Sequence, residues 1–186
     1  MKLKRLFTAF LFFMAIPFAL AGCQWDFNNP YADEWDVQIV GDSVFDLSGD
    51  IHEVLQDLSG KSYKDRSVSG AKIASIDNQL QKSLSRSSLQ SLIADGGAND
   101  ILQGSMDCDS DPLTQGCLDV LDYIGDSMWS MIVDMYYGPA DGHTWMGYYH
   151  VKGSEAEKNE AIDYAYDNIY PDLFDFTPYG GTTFSG

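Results

Sequence analysis

Basic residues are scarce in this sequence. Only 11 of its 186 residues are lysine or arginine, against 28 aspartates and glutamates, and the formal net charge is −17. A chain this acidic has no basic stripe to meet phosphate groups, which argues against nucleic-acid binding and against attraction to anionic lipid surfaces. We expect a solvated acidic surface that keeps the protein soluble.

Cysteine and histidine are also scarce, with three residues of each. No cysteine or histidine pair has the spacing of a zinc site, and no glycine-rich loop of the Walker type occurs. Gly96-Gly97 lacks the spacing of a dinucleotide-binding loop. The sequence therefore implies no metal and no organic cofactor. Its hydrophobic content of 45% is typical of a folded chain, and its length suits one domain.

The N-terminus has the pattern of a targeting segment. Three positive charges within residues 1–5 precede an almost unbroken apolar stretch over residues 6–20, too short for a comfortable membrane span. The Leu-Ala-Gly-Cys sequence that ends at Cys23 resembles the lipobox of bacterial lipoproteins. This resemblance implies removal of residues 1–22 and lipidation of Cys23. Gln24, in place of aspartate, implies the outer membrane. The alternative is a soluble secreted protein in which this cysteine occurs by chance.

The segment that follows is polar, and we interpret residues 23–34 as a tether between the lipid and a domain over residues 35–186. The remaining two cysteines, Cys108 and Cys117, bracket a turn-rich stretch. In the oxidising environment of a cell envelope they are expected to form a disulfide.

Hydrophobic periodicity predicts alternating strands and helices. This alternation indicates a three-layer α/β/α domain with a mostly parallel sheet of the flavodoxin-like kind. Residues 177–186 show no strong pattern. The predicted strands cover residues 37–40, 63–68, 89–94 and 144–151. The predicted helices cover residues 48–59, a segment capped by Ser75, residues 118–137, and a segment opened by a Ser154–Glu157 capping box.

Three unusual turns follow the first three predicted strands: Gly41-Asp42-Ser43, Ser69-Gly70 and Gly97-Ala98-Asn99-Asp100. Because parallel strands end at one edge of a sheet, the turns are expected to converge there. Ser43 would supply a nucleophilic hydroxyl. The N–H groups of Ser43 and Gly70 and the amide of Asn99 would supply donors for a developing oxyanion. That set suits acyl transfer.

With these three blocks the chain resembles the SGNH hydrolases, also called GDSL esterases. The resemblance covers residues 36 to about 170. It implies that Ser43 is the nucleophile and that Gly70 and Asn99 complete the oxyanion hole. It also implies that residues 145–149 belong to the fourth strand of such a domain.

The chain departs from this family in one block, an Asp-x-x-His near the C-terminus that supplies the general base. None of His52, His143 and His150 has aspartate three positions earlier, and Asp141 stands only two before His143. Two explanations compete. Either the chain is a C-terminally incomplete copy, lacking its last strand, its last helix and the histidine block, or it is a hydrolase-like protein without a working triad. We expect the first, and only feeble activity for this polypeptide.

The sequence thus predicts a serine ester hydrolase held in a bacterial cell envelope, periplasmic or surface-facing. Its partner would be a small-molecule, lipid or glycan ester, and it would touch the membrane only through its lipid anchor. We expect a monomer. The alternative function is a non-catalytic, hydrolase-like lipoprotein that binds an acylated or glycan ligand.

Overall fold

The computed structural model describes residues 33–148, 150–175 and 182–185, and of these it gives only the backbone for residues 154–156, 174–175 and 182–185. The predicted signal peptide, Cys23 and most of the predicted tether lie outside the described residues. The helices are α1 Ser43–Asp46, α2 Gly49–Ser59, α3 Ile73–Leu84, α4 Ala98–Leu102, α5 Gln115–Tyr137, α6 Asn159–Asn168 and α7 Tyr170–Asp175. The strands are β1 Val37–Val40, β2 Lys64–Asp65, β3 Ser91–Ala94, β4 Gly142–Met146 and β5 Thr182–Ser185.

The five strands form one parallel sheet in the order β2-β1-β3-β4-β5. β1 lies between β2 and β3, and all four of its residues are buried. Strands buried on both faces read as continuous apolar runs, which is why Val-Gln-Ile-Val was recognisable as a strand. The order brings the carboxyl ends of β2, β1 and β3 side by side.

Helices cover both faces of the sheet. On one face, α3 and α5 share the main hydrophobic core with Leu92, Ala94 and Trp145. On the other face, α2 lies over Ile93 and Thr144. The predicted three-layer α/β/α architecture is confirmed.

Helix α2 covers its face loosely. The sequence pattern placed Ile51, Val54, Leu55 and Leu58 on one apolar stripe, yet no residue of this helix is buried. Val54 is 54% exposed and Leu58 79% exposed. Among the described residues, a cavity of about 430 Å³ separates α2 from the sheet. Periodicity identified the helix, but it does not report how closely a helix docks.

Several predicted boundaries were wrong. β2 is shorter than residues 63–68, although Arg66 and Val68 still donate backbone hydrogen bonds to Ile39 and Gly41. β4 spans Gly142–Met146, so it begins two residues before the predicted 144–151 and ends well before residue 151. Residues 153–158 form a 3₁₀ helix, so α6 begins five residues after Ser154, not at the predicted capping box.

The expectation that the domain lacks its last strand was also wrong. Thr182–Ser185 forms β5, which pairs in parallel with β4 from His143↔Thr182 to Met146↔Ser185. The segment lacks a strong apolar pattern, so its pairing with β4 was not readable from composition. The predicted disulfide is present, and Cys108 and Cys117 are both buried in the core beside α5.

Candidate active site

The turn that carries Ser43 connects β1 to the short helix α1. Asp42 is the N-cap of that helix, and its Oδ1 accepts a hydrogen bond from Val44 N at 2.9 Å. Gly41 is required by space: a Cβ at this position would lie 1.8 Å from Asp95 Oδ1. Ser43 is half-buried, and neither its hydroxyl nor its backbone N–H bonds any described residue.

The turn that carries Gly70 lies directly beside the Ser43 turn. Val68 N donates to Gly41 O at 3.0 Å, and Ser69 N donates to Asp46 Oδ2 at 2.7 Å. Gly70 has φ +77°, a left-handed conformation that favours glycine. No residue in the described part of the chain accepts from its N–H. The Gly70 and Ser43 N–H groups therefore both remain available to a ligand.

Asn99 joins the third turn to the other two. It is 5% exposed, and its Nδ2 donates to Ala71 O at 3.0 Å and to Asp42 Oδ2 at 3.2 Å. Its Oδ1 accepts from Gln103 Nε2 at 2.8 Å. The three predicted blocks are thus linked by hydrogen bonds at one edge of the sheet. Donation from Asn99 to an oxyanion would replace the longer of its two contacts, the one with Asp42.

Asp42 lies at the centre of a cluster of hydrogen-bonded polar side chains that the sequence analysis did not predict. The Tyr148 hydroxyl donates to Asp42 Oδ2 at 2.6 Å, and the Tyr166 hydroxyl donates to the carbonyl of Tyr148. Burial, together with the charges of Asp95 and Asp42, raises the pKa of Tyr148 well above its ordinary value, so the phenol stays a donor. The aromatic run around Tyr148 indicated a strand, but nothing in it indicated a partner 106 residues away.

Asp95 is a second residue that sequence reasoning missed. It follows β3, it is fully buried, and its Oδ1 accepts from Asp42 N at 2.9 Å. It was interpreted only as turn composition before Gly96. A carboxyl group at the end of a buried strand and two residues before a predicted oxyanion turn was the available signal.

The histidines are placed apart from Ser43. His143 lies within β4, not in a loop as expected, and burial lowers its pKa. Its register partner on β3 is Leu92, two residues before the end of that strand. His143 therefore lies back from the edge that carries the three turns.

The other two histidines each pair with an aspartate. His52 Nε2 lies 3.3 Å from Asp65 Oδ2 and 3.1 Å from the carbonyl of Phe45. His150 Nε2 lies 2.7 Å from Asp163 Oδ1, and both side chains are more than half exposed. None of the three histidines is hydrogen-bonded to Ser43.

An apolar cavity of about 70 Å³ adjoins the Asn99 turn. The turn itself contributes Gly97 and Ala98 to the wall, and Tyr148 contributes its ring. Because Tyr148 also bonds Asp42, the cavity adjoins the Asp42 cluster, whereas Ser43 itself lines a separate pocket beside α1 and the start of α2. The rest of the wall comes mainly from α5 and α6, including Ile124, Met128, Ala161 and Ala165.

Within the described ranges, no group of three or more His, Cys, Asp or Glu side chains is placed to hold a metal ion. No helix among the described residues is long and apolar enough to span a membrane.

Comparison with solved structures identifies the fold. The chain is similar to TesA, with 17% identity, a TM-score of 0.56, and coverage of 80% of this chain and 76% of that one. It is also similar to Axe2, an acetylxylan esterase from Geobacillus stearothermophilus, with 14% identity, a TM-score of 0.58, and coverage of 81% and 74%. The Axe2 structures include catalytic mutants in which an aspartate or a histidine is replaced by alanine. No family model and no curated protein matches the sequence.

The chain shares the fold of these structures, and this agrees with the fold that the resemblance of the three sequence blocks implied. At sequence identities of 17% and 14%, the similarity to these structures shows the fold alone. The catalytic roles of Ser43, Gly70 and Asn99 stay predictions.

Proposed function

We propose that this protein is a serine ester hydrolase. The observation that carries the proposal is the convergence of three turns, in which the N–H groups of Ser43 and Gly70 have no acceptor among the described residues. Two free donors beside a serine hydroxyl are what the tetrahedral intermediate of acyl transfer requires. The SGNH-hydrolase fold supports the same reaction class.

In the proposed reaction, Ser43 Oγ attacks the ester carbonyl carbon and loses its proton. The carbonyl oxygen takes the negative charge and is met by the N–H groups of Ser43 and Gly70, with Asn99 as a third donor. Collapse expels the alcohol, which takes up a proton, and leaves an acyl-enzyme. Water then hydrolyses the acyl-enzyme, releasing a carboxylic acid and restoring Ser43.

The base that accepts the Ser43 proton is not among the hydrogen-bond partners of Ser43 in the described part of the chain. Without such a base the serine hydroxyl is scarcely ionised at neutral pH, so we expect slow turnover. Activated esters with good leaving groups are therefore the substrates of choice for detection, because their alcohol needs no proton donor to depart.

The apolar cavity beside the Asn99 turn supports the proposal that the ester substrate has a short acyl group. The cavity of about 70 Å³ is small and apolar, so we expect it to favour a short acyl chain over a long one. We expect p-nitrophenyl acetate and butyrate to be hydrolysed faster than the octanoate, measured as initial rates against heat-denatured protein. Preference for the octanoate would contradict the assignment of the cavity, and no hydrolysis of any of the three would contradict the proposed function.

A second candidate function is a non-catalytic protein that binds an acylated or glycan ligand in the same cleft. Two observations favour it: no described base contacts Ser43, and the Asn99 amide is bonded within the protein. Saturable ligand binding together with identical ester hydrolysis by wild type and Ser43→Ala would support this alternative over the enzyme.

We also propose that the domain is tethered to a membrane through a lipid on Cys23. The support is the sequence alone: a charged start, an apolar core and small residues before the cysteine. In a bacterial host, Cys23→Ser is expected to move the protein from the membrane fraction to the soluble fraction, because the anchor is lost. Cys108→Ser/Cys117→Ser serves as the control that alters cysteines without touching the lipobox. An unchanged membrane fraction for Cys23→Ser would rule out the anchor.

A further inference from the structure

Asp95 lies directly beneath the turn that presents Ser43. Its side chain is fully buried, and Oδ1 accepts a hydrogen bond from the backbone N–H of Asp42 at 2.9 Å. The fit is tight, because a Cβ on Gly41 would lie 1.8 Å from that same oxygen. The carboxyl group of Asp95 therefore holds the N–H of the Gly41–Asp42 peptide, whose carbonyl oxygen accepts from Gln79 Nε2 at 3.1 Å.

The second oxygen of Asp95 has no such support. Oδ2 is buried and bonds no group in the described part of the chain. The charged and titratable groups that face Asp95 are the carboxylate of Asp42 at the start of α1, the carboxylate of Asp65 on β2 and the phenol of Tyr148 after β4. Burial first, then the charge of Asp42 and more weakly that of Asp65, raise the pKa of Asp95 to about 8, although the hydrogen bond from Asp42 N acts to lower it.

At neutral pH Asp95 is accordingly a carboxylic acid. Because Oδ1 accepts from an N–H group, the proton belongs on Oδ2, the oxygen without a partner. Loss of that proton would place a negative charge beside Asp42, whose own charge raises the pKa of Asp95. Asp42 also holds Asn99 and Tyr148, so repulsion there acts on the entire polar cluster.

We propose that Asp95 is a positioning residue for Ser43, whose buried carboxyl group fixes the Gly41–Asp42 peptide through the hydrogen bond that it accepts from Asp42 N. This inference rests on the proposed function for its catalytic consequence, but its effect on the turn is independent of catalysis. In the Asp95→Asn variant, the side-chain carbonyl can still accept a hydrogen bond from Asp42 N–H. This variant therefore mimics the neutral carboxylic acid but cannot ionise. Alanine removes the acceptor altogether.

The experiment follows the backbone amide signals of Asp42 and Ser43 by NMR between pH 6 and pH 10. In wild type we expect both signals to titrate with a midpoint near pH 8, and in Asp95→Asn we expect no titration there. Asp100→Asn is the matched control, because Asp100 also has a pKa raised by burial but binds Ile73 N instead of the nucleophile turn. The control should titrate as wild type does. Absence of the wild-type titration, or its persistence in Asp95→Asn, would overturn the proposal.

The acylation rate supplies the second measurement, with p-nitrophenyl acetate as the probe. Because the Ser43 hydroxyl ionises more as the pH rises, we expect both rates to increase, with the wild-type rate rising less steeply than the Asp95→Asn rate through about pH 8. Asp95→Ala is expected to lose about tenfold or more at every pH. Identical pH profiles for wild type and Asp95→Asn would also overturn the role. If wild type acylates at no pH, the proposed function fails, and the amide titration alone decides whether Asp95 holds the turn.

The pH dependence of the free energy of unfolding tests the direction of the Asp95 pKa shift. The folded-state pKa of Asp95 lies above the unfolded value of 3.8, so the folded chain keeps a proton that the unfolded chain releases. This group therefore lowers the free energy of unfolding progressively as pH rises from about 4 to about 8. Relative to Asp95→Asn, wild type should lose melting temperature across that interval. An equal slope in both proteins would contradict a neutral Asp95.

Discussion

Replacing Ser43 with alanine is expected to abolish covalent labelling of the protein by a fluorophosphonate and to reduce hydrolysis of p-nitrophenyl acetate to the rate in buffer. The reason lies in the donors around this hydroxyl. A single oxyanion donor is worth about 10²–10³ in rate, so attack at Ser43 should exceed attack at an unassisted serine by at least about 100-fold. Mass spectrometry after brief exposure to the aryl ester measures the acyl group on the protein directly.

Ser69→Ala is the matched control for this variant. Ser69 is exposed and lies next to Gly70, but its contribution to the cluster is its backbone N–H, which donates to Asp46 and is kept by alanine. We expect labelling of Ser69→Ala at the wild-type level. Labelling that survives in Ser43→Ala would remove Ser43 as the nucleophile, and an acyl group found on another residue would show where the reaction occurs instead.

Replacing Asn99 with alanine is expected to lower the rate of acylation by about 10²–10³-fold, because the variant loses a donor to the oxyanion. The same variant leaves Ala71 O without its partner and removes a contact with Asp42, so a loss of about 1–3 kcal/mol of unfolding free energy is expected as well. Single-turnover rates and denaturant unfolding, measured on the same preparation, separate the two effects.

Two further variants separate the loss of the oxyanion donor from the loss of other asparagine or glutamine contacts. Asn78→Ala removes an exposed asparagine whose amide donates to Ala74 O, and it should leave acylation unchanged. Gln103→Ala removes the partner of Asn99 Oδ1 but keeps the Asn99 amide, so its rate loss should be much smaller. If Asn99 is only a clamp, the loss in Asn99→Ala will appear in substrate affinity and stability, with the acylation rate at saturation unchanged.

The sequence was sufficient where local chemistry decides local structure. A buried apolar run, a glycine with no room for a side chain, and an aspartate that caps a helix together specify β1 and the Ser43 turn. Parallel strands then require the turns after β2, β1 and β3 to share an edge. That rule is why Gly70 and Asn99 were recognisable from their positions in the chain.

The sequence failed where partners lie far apart along the chain. Tyr148 and Asp95 act through Asp42, and neither contact is encoded by a local pattern. The β5 strand was missed for a related reason: its pairing with β4 supplies order that its own composition does not show. The contacts of the Asn99 amide with Ala71 and Asp42 are likewise non-local, and no pattern in the sequence predicts them.

The Tyr148–Asp42 hydrogen bond, which spans 106 residues, has a consequence for how the protein acquires its site. Contacts of large sequence separation form late, since the intervening chain must first give up its conformational freedom. During synthesis Ser43 leaves the ribosome long before Tyr148 and before the Asn99 turn. The Ser43 turn is therefore local and early, whereas its polar support is non-local and late. An unfinished chain would carry the serine without the groups that hold it in place.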